Sequence, residues 1–377
     1  MNKRFVSALT ALCIGLSGAG ALPAGADDGP VISADNNSGL GGVCGEILWE
    51  FHSDGTLEFR GNGKMGEAAE LRQQDTGWMG FSQVGEIKKV IIGDGVTNIV
   101  GSAFSGCMEL DSVTIPNTVT SIGEKAFSLC TSLKSIAIPD GVTSIEQAAF
   151  FWCTSLESVD IPSSVRNIDD FAFDNCASLT SITIPDGVTR LGSCAFSMCS
   201  NLENITVPDS VTSIGAAAFS ATKWLNERRE EDPLVVLNNI LIDGRTASGA
   251  VIVPKGVKSI CDSAFSRCTE LESVTFPSSL KAIEECAFED CTSLKSVTIP
   301  ASVTIIGEKA FGYEDYDSDA PIEGFTIRGY IGTAAEKYAI DNDFKFVSLG
   351  YQIGDIDQNG EVDVDDLIIM QKAVAGW

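Results

Sequence analysis

The sequence predicts a solenoid, and three observations support this fold class. An Ala-Phe pair recurs at a step of 23 residues, as between Phe104 and Phe127. A short alternating segment that ends in Pro recurs in the same register. Each unit has too few apolar residues to bury a core alone, so stacked units must share one continuous core. The repeat phenylalanines are Phe104, Phe127, Phe150, Phe173, Phe196, Phe219, Phe265, Phe288 and Phe311.

Each unit contains a strand, a turn and a short bend around its phenylalanine. Leu133–Ile138 alternates with period two, which predicts a short strand. Pro139 and Gly141 then turn the chain, because Pro lacks an N–H group and Gly accepts positive φ. The segment at Ala126 and Phe127 favours a short helical turn. We therefore expect an α/β solenoid in which strands of successive coils stack in parallel.

One coil of the array departs from the pattern. The gap from Phe219 to Phe265 is 46 residues, or two steps, and it contains no Ala-Phe pair. Residues 222–250 are predicted to form one wider, variant coil, which brings the array to about ten coils.

Both ends of a solenoid expose a core edge and need a cap. At the front, Ile47–Phe51 and Thr56–Phe59 flank a turn and predict a β-hairpin. At the back, Gly324–Tyr330, Thr333–Ile340 and Phe344–Val347 predict strand, helix and strand. The expected segments are a signal peptide at 1–26, a linker at 27–43, an amino-terminal cap at 44–85, repeats at 86–320, a carboxyl-terminal cap at 321–349 and a separate segment at 350–377.

The first residues predict export. Lys3 and Arg4 precede an apolar run, and small residues at Ala24–Ala26 suit signal cleavage. No later stretch approaches the roughly 20 apolar residues that a membrane span requires. We expect a secreted chain without a membrane-spanning helix.

The charge of the chain restricts its partners. The formal net charge is −27. Phosphate binding depends on Lys and Arg, so this balance excludes nucleic acid as a partner.

The cysteines follow the repeat. Of the 12 cysteines, seven stand three residues after a repeat phenylalanine, which predicts a column of buried thiols that fill the core. Disulfides between Cys194 and Cys199, or between Cys286 and Cys291, are an open alternative. These seven are Cys107, Cys130, Cys153, Cys176, Cys199, Cys268 and Cys291.

The repeat resembles a known family. The pattern from Ala287 to Pro300 is similar to the BspA-like leucine-rich repeat of bacterial surface proteins. This resemblance covers about Cys44 to Leu349 and implies a right-handed horseshoe whose strands line the concave face. It also implies adhesion or recognition, with a protein or polysaccharide as the ligand of the solenoid. Small and polar side chains occupy the outward strand positions, which favours either ordinary exposed strands or a hydroxyl-lined binding groove.

Residues 355–366 have the spacing of an EF-hand calcium loop. Oxygen-bearing side chains fall at loop positions 1, 3, 5, 9 and 12, and Gly360 stands at position 6. Position 7 offers its backbone carbonyl. The predicted Ca²⁺ ligands are Asp355, Asp357, Asn359, Glu361, Asp363 and Asp366.

This loop and the apolar run after it resemble the first half of a type I dockerin. The resemblance implies attachment to a cohesin-bearing scaffold protein of the cellulosome type. Such a module has two loop–helix halves, whereas this sequence contains one. The positions that correspond to partner recognition are Val364, Asp365, Gln371 and Lys372.

The sequence favours a non-enzymatic function. His52 is the single histidine, and it lies beside a predicted strand rather than near a nucleophile. Residues 27–85 are too few for a catalytic domain. Two alternatives remain: an accessory component of a polysaccharide-degrading complex with hydrolytic or inhibitory activity, and a structural spacer at the cell surface.

Overall fold

The computed structural model describes residues 40–66, 86–314, 321–350 and 369. The amino-terminal part is an antiparallel meander of β1 (Leu40–Cys44), β2 (Ile47–Phe51) and β3 (Thr56–Gly61). Strand β1 begins inside the segment predicted as a linker, because its five residues pair in register with β2. Strand β3 then pairs in parallel with the first repeat strand, so the meander caps the stack.

The repeats contribute to two sets of parallel strands, which confirms the solenoid. The first set, here the first ladder, has eleven strands in the described residues, against about ten coils predicted. They are β4 (Lys89–Ile92), β6 (Ser112–Thr114), β8 (Ser135–Ala137), β10 (Ser158–Asp160), β12 (Ser181–Thr183), β14 (Asn204–Thr206), β18 (Gly249–Ile252), β20 (Leu271–Thr275), β22 (Ser296–Thr298), β24 (Thr326–Gly329) and β25 (Lys345–Ser348).

The second ladder consists of shorter strands after the Pro turn, most of them two residues long. Equivalent residues of successive coils pair in it, as Asn167 does with Arg190. Its strands are β5 (Asn98–Ile99), β7 (Ser121–Ile122), β9 (Ser144–Ile145), β11 (Asn167–Ile168), β13 (Arg190–Leu191), β15 (Ser213–Ile214), β17 (Ile240–Asp243), β19 (Ser259–Ile260), β21 (Ala282–Ile283) and β23 (Ile305–Ile306).

The segment around each repeat phenylalanine is a series of turns, where a short helical turn was expected. Alternate amides bond within the coil, as Ala126 does to the carbonyl of Gly123 at 3.1 Å. The amides between them donate to the next coil, as Phe127 does to Ala149 at 2.9 Å. We call this third row of bonds the turn ladder. It requires left-handed backbone on both sides of the phenylalanine, with φ of 58° at Lys125, and this alternation prevents a helix.

The core is a column of stacked phenylalanines. The rings of Phe127 and Phe150 are parallel within 1°, and their centroids lie 5.6 Å apart. All nine repeat phenylalanines are buried. Stacking one aromatic ring per coil supplies the apolar area that a single unit lacks.

The predicted thiol column lies beside the rings. Six of its seven thiols, all except Cys107, do more than fill space, because each donates to a backbone carbonyl of the preceding coil. Cys153 Sγ lies 3.2 Å from the carbonyl oxygen of Phe127, and Cys176 Sγ lies 3.3 Å from that of Phe150. Cys194, Cys199, Cys286 and Cys291 are free thiols, so neither alternative disulfide is formed.

The variant coil replaces a first-ladder strand with a helix. Helix α1 (Lys223–Glu231) begins at Thr222, whose hydroxyl caps the amide of Leu225 at 3.1 Å. Strand β16 (Val235–Leu237) then forms a hairpin with β17 through two residues of positive φ, Asn238 and Asn239. This conformation suits a tight hairpin, and Asn tolerates it well.

The carboxyl-terminal end has the elements that the sequence predicts. Strand β24 is followed by helix α2 (Ala334–Asp341) and then by β25, which pairs in parallel with β24. The phenol of Tyr338 accepts from the amide of Phe311 and donates to its carbonyl, both at 3.0 Å. The helix therefore closes the end of the phenylalanine column.

Candidate ligand-binding face

The outward side chains of the first ladder form a continuous polar surface, which we call the ladder face. Successive coils lie about 4.8 Å apart in such a ladder, so equivalent side chains form columns. Most of these side chains are exposed, and Ser112 and Ser296 are half-buried. The face consists of the pairs Ser112/Thr114, Ser135/Ala137, Ser158/Asp160, Ser181/Thr183, Asn204/Thr206, Ser273/Thr275 and Ser296/Thr298.

The polar groups of the ladder face have no internal partners among the described residues. Several hydroxyls in the turns between the two ladders behave differently, because they donate to the backbone of the preceding coil. Thr118 Oγ1 lies 2.8 Å from the carbonyl of Val96, and Ser164 Oγ lies 2.6 Å from that of Val142. The same residue types are thus structural in these turns and available for a ligand on the ladder face.

The ladder face is edged by charges of both signs, with carboxylates in the majority. Glu157, Glu203 and Glu272 precede their strands, all three exposed. Lys223 reaches Glu203 at 2.5 Å from the start of α1, and both side chains are about half exposed. Such exposed pairs contribute little stability, so these groups are free to exchange partners.

Helix α1 divides the ladder face into two parts. It takes the place of a strand between β14 and β18, and its Trp224 and Leu225 are buried against the core. Beyond the helix, Ile252 on β18 is 74% exposed, the highest exposure among the large apolar side chains described. The two parts of the face therefore meet at a step with a helix on one side and an apolar side chain on the other.

A buried ion pair fixes this helix. Arg229 donates through Nε and Nη2 to the two carboxylate oxygens of Asp243, at 2.8 and 2.6 Å. Asp243 is 3% exposed. A bidentate pair of this kind sets both the position and the rotation of the helix.

His52 lies in the amino-terminal meander, directly after β2. Its Nε2 is 3.5 Å from Glu58 and its Nδ1 is 4.0 Å from Glu50. It is half-exposed and next to carboxylates, as expected for a surface strand position.

The predicted calcium loop lies outside the described residues. This applies to all six ligands, Asp355, Asp357, Asn359, Glu361, Asp363 and Asp366, and to the recognition positions Val364, Asp365, Gln371 and Lys372. The predicted signal at 1–26 also lies outside them. Within the described residues, no group of three or more His, Cys, Asp or Glu side chains is placed to hold a metal ion. No helix in this part of the chain is long and apolar enough to cross a membrane.

Sequence reasoning missed one site, a cavity at the variant coil lined by Asp262, Glu284 and Glu285. Its signal was present in the sequence. Gly244 lies where a Cβ would clash with the ring of Phe265, and no Ala-Phe pair lies between Phe219 and Ala264.

The repeat architecture agrees with a known family. A model of the BspA type leucine rich repeat region matches in six copies, over residues 79–140, 123–234 and 246–323. These ranges include more than half of the 377 residues. The chain belongs to the BspA-type leucine-rich repeat family. The predicted family resemblance is thus confirmed for the repeats.

Solved structures similar to this BspA-type chain come from several bacteria. A leucine-rich repeat protein from Eubacterium ventriosum is 21% identical, with a TM-score of 0.37, covering 72% of this chain and 94% of that one. One from Bacteroides ovatus is 25% identical, with a TM-score of 0.39, covering 72% and 80%. A leucine rich cell surface protein from Faecalibacterium prausnitzii is 22% identical, with a TM-score of 0.32, covering 73% and 96%. No curated protein sequence matches the chain.

The matched BspA-type ranges end at residue 323. The dockerin resemblance of residues 350–377, its calcium ion and its cohesin partner therefore stay predictions.

Proposed function

We propose that the chain is a secreted, non-enzymatic binding protein whose ladder face holds an extended protein or polysaccharide ligand. The contrast between the two sets of hydroxyls is the observation that carries this proposal. A fold that uses Thr118 and Ser164 to bond its own backbone leaves Thr183 and Thr206 exposed and unbonded. Columns of such groups offer one contact per coil to a repeating or extended ligand.

The proposal extends to the carboxyl-terminal segment. Residues 355–366 would bind Ca²⁺ through oxygen ligands at EF-hand spacing. The loop and the run after it would attach the protein to a cohesin-bearing scaffold. The ladder face then holds one partner while the terminal segment holds the other.

The ladder face is tested with glycan and matrix-protein arrays. The wild-type chain is compared with the variant T183K/T206K, and with T143K as a control on an exposed position outside the face. We expect a ligand that the wild type and the control bind and the double variant does not. Absence of any ligand, or equal binding by the double variant, would contradict the ladder-face proposal.

The terminal segment is tested separately by calorimetric Ca²⁺ titration and by cohesin binding with calcium or chelator. We expect calcium-dependent binding that the double change Asp355→Ala and Asp357→Ala abolishes. Cohesin binding that persists in chelator would count against the tether while leaving the ladder-face result untouched.

A further inference from the structure

Two more strands continue the ladder face at the carboxyl-terminal end of the array. The register aligns Thr298 of β22 with Arg328 of β24. It also aligns Thr326 of β24 with Lys345 of β25. Side chains at aligned positions of neighbouring strands point to the same side of a sheet. The outward pairs of these two strands are therefore Thr326/Arg328 and Lys345/Val347.

Positive side chains mark this end of the ladder face. Arg328 and Lys345 stand at outward positions, Lys295 directly precedes β22, and all three are exposed. They belong to three neighbouring strands, in the order β22, β24 and β25. Neighbouring strands lie about 4.8 Å apart and diagonal positions about 7–8 Å apart, so long side chains on them can reach one shared ligand. We call Lys295, Arg328 and Lys345 the cationic end.

The charges of the cationic end are not used within the fold. None of the three side chains has a carboxylate oxygen within 4.0 Å in the part of the chain that the structure describes. On the neighbouring helix α2, by contrast, Lys337 pairs with Asp341 at 2.6 Å. Like charges that lie side by side repel one another, so an anion bound among the three cations is favoured.

The rest of the ladder face does not share this charge. Its centre carries the exposed carboxylates of Glu157, Asp160 and Glu203. Glu272 stands one coil before Lys295, at the equivalent position, and sets the boundary of the cationic end. At physiological salt, exposed charges farther away than about 8 Å are largely screened. An anion at the cationic end therefore interacts more strongly with its three cations than with the −27 net charge of the chain.

The composition of this surface indicates the class of ligand. Small hydroxyl side chains, Ser296 and Thr298, lie beside the cations, and the half-buried Val347 is the apolar side chain among the outward positions of β22, β24 and β25. Protein partners bind best through a desolvated apolar centre, which these positions do not provide. A polymer of hydroxyl and carboxylate groups needs no such centre. Arg328 can hold one carboxylate in a bidentate pair, and each lysine can hold another as a point charge.

We propose that the cationic end binds an acidic polysaccharide, a polymer with one carboxylate on each sugar ring, whose chain runs across the coils. This inference rests on the proposed function of the ladder face and narrows it to one class of ligand. Successive carboxylates meet cations on successive coils, while ring hydroxyls form hydrogen bonds with the columns of Ser and Thr. The nearby carboxylates confine such a ligand to this end of the face.

Binding of the full chain to immobilised polymers, measured by biolayer interferometry, tests the ligand class. The polymers are polygalacturonate, neutral galactan and poly-glutamate, and a chelator prevents divalent ions from bridging acidic groups. We expect binding to polygalacturonate that weakens as salt is raised, because salt screens exposed charge pairs. Galactan and poly-glutamate should bind at least about tenfold more weakly, since the first lacks the charges and the second lacks the hydroxyls. Equal binding of galactan removes the charge argument, equal binding of poly-glutamate assigns the surface to an acidic peptide, and either result overturns the proposal.

Variants locate the binding on the chain. Lys295→Gln, Arg328→Gln and Lys345→Gln should each weaken polygalacturonate binding about threefold, as expected for one exposed pair, and the triple variant should weaken it at least about tenfold. Lys281→Gln is the matched control, because Lys281 is an exposed lysine beside the second ladder, outside the ladder face. Circular dichroism verifies that each variant is folded. Equal loss in the control, or unchanged binding by the triple variant, would reject the site.

The failure of this inference is distinguishable from the failure of the proposed function. If the wild type binds a neutral glycan or a protein, T183K/T206K loses that ligand and the triple variant keeps it, the ladder face stands and the cationic end is rejected as the ligand site. If the wild type binds no ligand on any array or polymer, both are rejected.

Discussion

At the residue scale, the repeat predicts which side chains lie in the core but not which hydrogen bonds they make there. Phe127 and Cys130 could be placed in the core from the sequence alone, because only stacking buries one such pair per unit. The hydrogen bond from Cys130 Sγ to the carbonyl of Phe104, at 3.2 Å, could not be predicted. It depends on the distance between coils, which the pattern of residue types does not contain.

The thiol column is expected to be unreactive in the folded protein. Thiols react as thiolates, and burial raises the pKa of Cys107 and of Cys153 to about 12. Labelling with a disulfide reagent, followed by mass spectrometry, should modify neither cysteine until urea unfolds the chain. Labelling of Cys153 in native buffer at the rate seen in urea would contradict its burial.

Asp174 makes the stability dependent on pH. It is 3% exposed, its Oδ1 has no hydrogen-bond partner in the described structure, and burial raises its pKa to about 7 while Ser197 partly opposes the shift. The folded state therefore holds a proton that the unfolded state has released between about pH 4 and 7. Stability from this group is present at low pH and is lost as the pH rises through 7.

Asp174→Asn should therefore stabilise the protein at alkaline pH. We expect a gain of about 2–4 kcal/mol in the free energy of unfolding at pH 8, because the neutral amide avoids burying a charge. The gain should shrink as the pH is lowered from 7 to 5. Urea denaturation at pH 8 and pH 5 measures both values, and a constant gain would show that the carboxylate does not titrate in this range.

At the element scale, the turn ladder is the feature that the sequence conceals. Left-handed backbone is normally marked by Gly, and Gly106 marks it in the first coil with φ of 81°. Later coils use ordinary residues at the same position, such as Leu129 and Trp152. Only the bonds between coils hold these residues in that conformation, so tertiary structure overrides local preference.

Helix α1 should depend on its buried ion pair. Arg229→Leu removes the bidentate partner of Asp243 and leaves that carboxylate buried, with Arg245 at 3.8 Å. We expect a loss of about 3 kcal/mol in the free energy of unfolding, as for other buried pairs that lose one member. Thermal denaturation by circular dichroism measures the change.

The exposed pair between Lys337 and Asp341 on α2 is the comparison. Lys337→Ala should change the free energy of unfolding by less than about 0.5 kcal/mol, because exposed pairs of this spacing contribute little. If Arg229→Leu lowered the free energy of unfolding no more than Lys337→Ala does, the buried ion pair would not be what stabilises helix α1.

At the scale of the whole molecule, the variant coil separates two stacks. Strand pairing lapses there in both ladders, as it also does between β6 and β8 and between β7 and β9. Within the coils described between residues 102 and 290, only the coil of Phe219 has turn-ladder amides that donate to no carbonyl of the next coil. The phenylalanine column also changes there, since Phe219 packs against Trp224 with ring centroids 5.1 Å apart. The spacing of the repeat phenylalanines locates this coil in the sequence. The interruption of the turn ladder could not be predicted, because it depends on the path of the backbone between Phe219 and Phe265.

We expect the two stacks to unfold as separate cooperative units. Repeat arrays are stabilised by nearest-neighbour interfaces, so a weak interface divides them. Hydrogen exchange should give one opening free energy for residues 98–206 and another for residues 259–306. Phe150→Leu should lower the first alone and Phe288→Leu the second alone, and a single shared value would show that the variant coil transmits the cooperativity.

The hairpin turn at Asn238 has a consequence for how such a chain can change in length. Its side-chain amide donates to the carbonyls of Pro208 and Val211, at 2.7 and 3.0 Å, and so attaches the second stack to the last coil of the first. That attachment uses only the coil adjacent to it. Duplication or loss of a 23-residue unit elsewhere in either stack would leave the attachment intact. The number of coils in each stack can therefore change in evolution independently of the other stack.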